Sequence, residues 1–224
     1  MIFMKLSYPL VRNAFFFSAF VFAFSCNPKR LDTAELADEM KDRRVRKISQ
    51  TKLIETAQKK GGIAISVIDK AFRSKMEKEM KGSTSDSAYL FCNINKYSAT
   101  DSLGYILTAS ILRHGRTIKS VPPEEQSYTF QVLDAYRYNA ENKLISEDNV
   151  QKIGEKAILF TRPIVLKDQI CFSCHGSTKQ VGEKRLAFLK KKFPQSTVWE
   201  QGPDSLLGMW AISFDKKEFI RNIK

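Results

Sequence analysis

Cys171, Cys174 and His175 stand in the order C-x-x-C-H. That pattern suits covalent attachment of one c-type haem. Two thiols add across the two vinyl groups of the porphyrin, so they must lie one short turn apart. A histidine directly after the second thiol is then aimed at the iron as its proximal ligand. Two other uses of paired cysteines compete with this reading. A structural zinc site needs four ligands, and besides the motif the chain offers only Cys26, Cys92 and His114, with no second paired spacing. A thioredoxin-like thiol site wants a strand-to-helix βαβ setting and has no use for the histidine. Covalent haem is the stronger assignment.

The opposite side of the iron is less determined. Haem iron takes His, Met, Cys, Lys, water or nothing there. His114 is the only other histidine and lies in a basic turn after an expected strand, so it is the first candidate for a distal ligand. Cys92, beside Phe91, is the second candidate, although a lone cysteine in a strand often acts as a small buried hydrophobe. Met76, Met80 and Met209 fit apolar stripes and read as core first, with ligation of the iron as their alternative. An open or water-bound site is the remaining alternative. Arg113 and Arg116, with Thr117 and Lys119, form a basic stretch whose guanidinium groups could pair bidentately with haem propionates. Trp199, Tyr136 and Tyr138 are candidates to line the haem pocket, or plain core.

These residues need elements to hold them. Asp32-Thr33-Ala34-Glu35 starts a helix expected to run to about Lys60, sparse in apolar positions and suited to a stalk. Gly61-Gly62 is expected to break it. A second helix follows, with Ile65, Ile68, Phe72, Met76 and Met80 at spacings of three or four, closed by Gly82 and a serine-rich run. Residues 88–97 and 103–112 have strand-like composition. Pro122-Pro123-Glu124-Glu125 predicts a helix start, with Phe130, Leu133 and Tyr136 as its buried stripe. Residues 157–166 read as a strand, with Pro163 pointing to an edge or a bulge, and this strand delivers the chain to Cys171. Residues 183–193 predict a basic helix and 208–214 a final buried strand. The fold class is α+β, with helices first and an antiparallel sheet after.

The chain has 224 residues, 43% of them hydrophobic and 27% charged, with a formal net charge of +13. Such a surface suits an anionic membrane face or an acidic partner protein. Nucleic acid, the other usual partner of a basic chain, is set aside because the N-terminus reads as an export signal. Lys5 and Arg12 precede an apolar run over residues 14–24, of signal-peptide length and too short to span a bilayer. It ends Ala23-Phe24-Ser25-Cys26, a pattern that suits cleavage before Cys26 and acylation of that cysteine as in a bacterial lipoprotein. The organisation expected is a signal peptide over 1–25, a membrane-proximal helix or stalk over 26–60 and a haem domain over 61–224. The product would be membrane-anchored through its N-terminal lipid and face the periplasm or cell surface.

Residues 161–176 (TRPIVLKDQICFSCHG), then Trp199-Glu200-Gln201-Gly202, Leu207-Gly208 and the strand 209–214 resemble the Tll0287-like haem domain family. The resemblance covers about residues 61–224 and is strongest from 155 to 214. It implies a PAS-like fold holding one c-type haem, usually exported, with a suspected role in redox or ligand sensing. It also implies a distal cysteine on an early helix, in a motif like A-I-x-V-C. The matching stretch here is Ala64-Ile65-Ser66-Val67-Ile68, so the ligand position is Ile68, which cannot bind iron.

Three functions follow. The first is a membrane-tethered haem-based redox or ligand sensor, which would need a signalling partner because the chain carries no kinase or cyclase segment. The second is a carrier of single electrons between periplasmic partners. The third is an enzyme such as a haem peroxidase, ranked last because it needs a distal acid–base group and only one histidine is spare.

Overall fold

A computed structural model describes residues 48–81, 98–116 and 121–223, together with Thr33 and Met40. The chain divides into two units, residues 1–45 and 46–224. Of the first, only Thr33 and Met40 are described, both helical and exposed. The expected strand over 88–97, the signal peptide and most of the stalk lie outside the described residues.

The second unit is α+β. Its elements run α1 (Gln50–Lys81), α2 (Ser98–Leu107), β1 (Ala109–Gly115), α3 (Pro123–Glu141), β2 (Asn149–Ile153), β3 (Ala157–Val165), α4 (Gln169–His175), α5 (Thr178–Val181), α6 (Glu183–Lys192), β4 (Leu206–Asp215) and α7 (Lys216–Arg221). The four strands form one antiparallel sheet in the order β1-β4-β3-β2. No helix among the described residues is long and apolar enough to cross a membrane.

Strand periodicity sorts the core into two layers. Ile158 and Phe160 of β3 and Trp210, Ile212 and Phe214 of β4 face α1, which presents Leu53, Ala57, Ala64, Ile65 and Ile68 to them. Met209 of β4 turns to the other face and packs on Val132, Leu133 and Tyr136 of α3. Because β4 is covered on both sides, its sequence is a nearly unbroken apolar run, buried from Leu206 to Ile212.

Gly61-Gly62 does not break the helix; α1 is one 32-residue helix running through the pair and through the expected 60/61 boundary. The reason is tertiary. A Cβ on Gly61 would collide with the ring of Phe160, so glycine lets the helix axis approach β3. The propensity cost of a helical glycine, about 1 kcal/mol, is offset by the burial this approach permits. Arg162 then ties the same turn to the sheet. It donates to Asp148 through Nε (2.7 Å) and Nη2 (2.6 Å), and through Nη1 to the Gly62 carbonyl (3.3 Å).

Residues 103–112 also depart from the strand expected. Positions 103–107 are the end of α2, the chain turns at Thr108 (φ +51°), and the strand begins at Ala109. Leu103 and Leu107, four apart, pack on the α1 side of the sheet, so helical spacing wins over local composition. In α3 the start at Pro122-Pro123 is as expected, but the buried stripe is Thr129, Val132, Leu133 and Tyr136, and Phe130 is exposed. Pro163 sits on β3, an interior strand rather than an edge; the bulge lies just beyond it, between Ile164 and Val165. Strand β2 had no signal strong enough to predict it.

Tyr136 makes the α3 side sensitive to alkali. Its hydroxyl donates to the Thr161 carbonyl (3.2 Å) and meets the Thr161 hydroxyl (2.9 Å). Burial pushes the phenol up from 10 to about 12. A raised folded-state pKa adds stability that is full below pH 10 and is lost as pH rises towards 12, because the unfolded chain ionises first. The loss is on the order of 3 kcal/mol. The urea midpoint of the natural protein is therefore expected to fall more steeply between pH 10 and 12 than that of Tyr136→Phe; equal falls would disprove the assignment to Tyr136.

Candidate functional site

Strand β3 ends at Val165 and hands the chain to α4 through a short, pinned turn. The Leu166 amide donates to the Ser205 carbonyl (3.0 Å), and the Asp204 amide donates back to Leu166 (2.9 Å). Asp168 then occupies the N-cap position of α4 and pairs with Arg73 of α1, joining the two helices.

Within α4, Cys174 lies three and His175 four residues after Cys171, so all three side chains share one face. Phe172 points elsewhere, into a cluster with Leu166 and Leu207. The shared face forms one wall of a cleft that encloses about 260 Å³, or about 1090 Å³ with its open mouth included. That range brackets ordinary ligand sites. Asp69, Phe72, Arg73 and Met76 of α1 form the opposing wall. The sheet ends supply Arg113, Ile164, Leu207 and Trp210 between them.

His175 is held in one tautomer. Its Nδ1 lies 3.0 Å from the Val198 carbonyl, which can only accept, so Nδ1 carries the proton and Nε2 keeps its lone pair. Trp199 stacks on the ring at 5.8 Å and 14°, and the Gln201 amide donates to the His175 carbonyl (2.8 Å). Burial pulls the imidazole's pKa down, which favours the neutral, ligating form. Both thiols are pushed up, chiefly by burial, so they rest protonated. Cys174 also packs on Val181, Leu186 and Leu189 of α5 and α6. After the motif the chain turns tightly: a Cβ on Gly176 would come 2.6 Å from the Phe172 carbonyl.

The cleft is mostly basic at its rim, with Arg73, Arg113 and Lys167 set against Asp69 and Asp168. Arg113 lies over the rings of Phe72 (5.7 Å) and Trp210 (6.0 Å). Trp210 Nε1 donates to Asp69 Oδ1 at 3.0 Å. Burial raises the Asp69 carboxyl, against the opposing pull of that hydrogen bond and of Arg73, Arg113 and Arg162.

The other expected site residues fall as follows. His114 is buried on β1 opposite Met209 of β4. Directly paired residues share a sheet face, and Met209 faces α3, so His114 lies on the α3 face; among the described residues lining the cleft it does not appear. Arg113, its neighbour, takes the cleft side. Arg116 donates to the Thr197 carbonyl and to Gln201 Oε1, both at 3.3 Å, and braces the segment that carries Val198. Ile68 is fully buried in the α1–sheet core. Tyr136 lies on the α3 side and Tyr138 is exposed. Cys26 and Cys92 lie outside the described residues.

Sequence reasoning missed Asp69, Arg73, Lys167 and Asp168. The helical spacing 69, 72, 73, 76 was a usable signal for the α1 wall. The Val198 carbonyl had none, because a main-chain acceptor leaves no mark on residue type.

The donor set of two thiols and one oriented imidazole on a single face fits a porphyrin bound through thioethers with histidine on its iron. Among the described residues no group of three or more His, Cys, Asp or Glu is placed to hold a metal ion.

A family model described as Tll0287-like matches residues 49–214. No curated protein matches the chain. Among solved structures, the cyanobacterial heme-protein Tll0287 matches with 14% identity over 75% of this chain and 97% of that one, at a TM-score of 0.47.

Proposed function

The chain belongs to the Tll0287-like family, and on that premise we propose that it is an exported, lipid-anchored, single-haem c-type cytochrome serving as a redox or ligand sensor. The observation that carries this reading is the placement of Cys171, Cys174 and His175 on one cleft wall, with the imidazole locked by Val198. Cys171 and Cys174 would hold the porphyrin, and His175 Nε2 would bind its iron. Arg113, set over Phe72 and Trp210 at the rim, would pair with a propionate. The bound group supplies reversible one-electron chemistry at iron. The chain's own part is to orient the imidazole, exclude water with Phe72, Leu207 and Trp210, and offset the propionate charge. Acylation at Cys26 would tether it to a membrane.

A second reading is a single-electron carrier. It is favoured by the charge of α6, whose exposed Lys184, Lys190, Lys191 and Lys192 suit an acidic partner. Absorption spectra of the purified protein, oxidised and reduced, with and without CO, test both. Uptake of CO or NO supports ligand sensing. A six-coordinate haem that ignores them supports a purely redox role. A protein purified from a host competent in haem attachment that lacks haem absorption would overturn both readings.

A further inference from the structure

We infer that Met76 supplies the second axial ligand of the iron, opposite His175, an inference that rests on the haem reading above. Met76 and His175 line the same cleft, one on α1 and one on α4. Met76 is 4% exposed although its neighbours Lys75 and Glu77 are solvent-facing. Among the described residues it joins none of the apolar clusters that Leu53, Ala57, Ile65 and Ile68 of the same helix join. It lines the cleft at the end of the 69, 72, 73, 76 face.

The chemistry of the remaining lining leaves few rivals. Arginine cannot give up a proton to bind iron. Asp69 accepts from Trp210, and Asp168 is paired with Arg73. Lys167 has a side chain 66% exposed and leans towards Asp204 (3.8 Å). His114 faces α3, and Ile68 carries no donor. The Met76 thioether is a neutral, soft donor on a flexible stem, of the kind that with histidine raises the potential of c-type haem. Such an iron is closed to gas at rest, so the redox branch of the proposed role is the one this site serves.

The test uses the haem-loaded full chain. The natural protein is expected to be low-spin in both oxidation states, with the near-infrared sulfur-to-iron charge-transfer band when oxidised. Met76→Leu, which conserves volume, should lose that band, turn high-spin when reduced and take up CO at once. Met76→His should restore a low-spin spectrum at a lower potential. His114→Gln and Cys92→Ser should leave the natural spectrum unchanged. The inference is overturned if Met76→Leu keeps the low-spin spectrum, if the natural protein is already high-spin, or if His114→Gln, Cys92→Ser or Lys167→Ala removes the low-spin bands instead. Covalent haem on a denaturing gel separates the two levels: haem retained with the wrong spin state refutes Met76 alone, and haem absent from the natural protein refutes the premise.

Discussion

Replacing both Cys171 and Cys174 by alanine should abolish covalent haem, read as complete loss of haem staining on a denaturing gel. Among the described residues the two sulfurs are the only thiols lining the cleft, and they sit three residues apart on the face that also carries His175. Nothing else in that wall could form a thioether. The variant should still fold. Cys171 is half-buried, and Cys174 gives up its packing in the cluster with Val181, Leu186 and Leu189, a cost of about 1–2 kcal/mol for a small buried group. Haem captured non-covalently through His175 would be released by the denaturant, so the gel reads attachment alone. Single replacements should each leave one thioether and retain stain. Stain that survives the double replacement would sink the assignment of the motif.

The second large effect concerns a residue that touches no cofactor. Gly208→Ala should lower stability by roughly 3–5 kcal/mol, combining backbone strain with a steric clash. Gly208 has φ +157°, and a Cβ there would run into the His114 carbonyl and come 3.0 Å from the Gly115 Cα. Both contacts are backbone of β1, which pairs with β4 at Gly115↔Gly208, so no side-chain rotation relieves them. The strand must move, and it carries Arg113 away from Trp210 and the cleft rim. Gly202→Ala is the control, because nothing lies within 4 Å of its Cβ, and its urea midpoint should stay near that of the natural protein. A Gly208→Ala midpoint equally close to the natural one would refute the account.

Much of the site was legible from residue types alone. C-x-x-C-H was legible as a constellation, since a helical turn of that spacing puts two thiols and an imidazole on one face. The helix start at Pro122-Pro123-Glu124-Glu125 and the buried strand around 208–214 were legible for local reasons, namely fixed φ and apolar runs. Gly61-Gly62 misled because glycine has two uses: it stops a helix in isolation and admits a close neighbour in a packed one. Only Phe160, 99 residues further on, decides between them. Residues 103–107 misled because Leu103 and Leu107 fit a strand by composition and a helix by the face they bury.

The candidate ligands other than His175 show the division most sharply. Residue order alone puts Cys171, Cys174 and His175 on one face, because they are neighbours and local geometry brings them together. His114, Cys92 and Met76 are far from the motif in sequence, and spacing has no power to rank them. Sheet pairing does: His114 lies opposite Met209 and so faces α3, while its neighbour Arg113 faces the cleft. Helix packing brings Met76 of α1 into the lining of the cleft that also holds His175 of α4. A one-residue alternation on β1 and the docking of one helix across the sheet are long-range facts. They depend on which surfaces bury each other, and so only the folded chain could decide them.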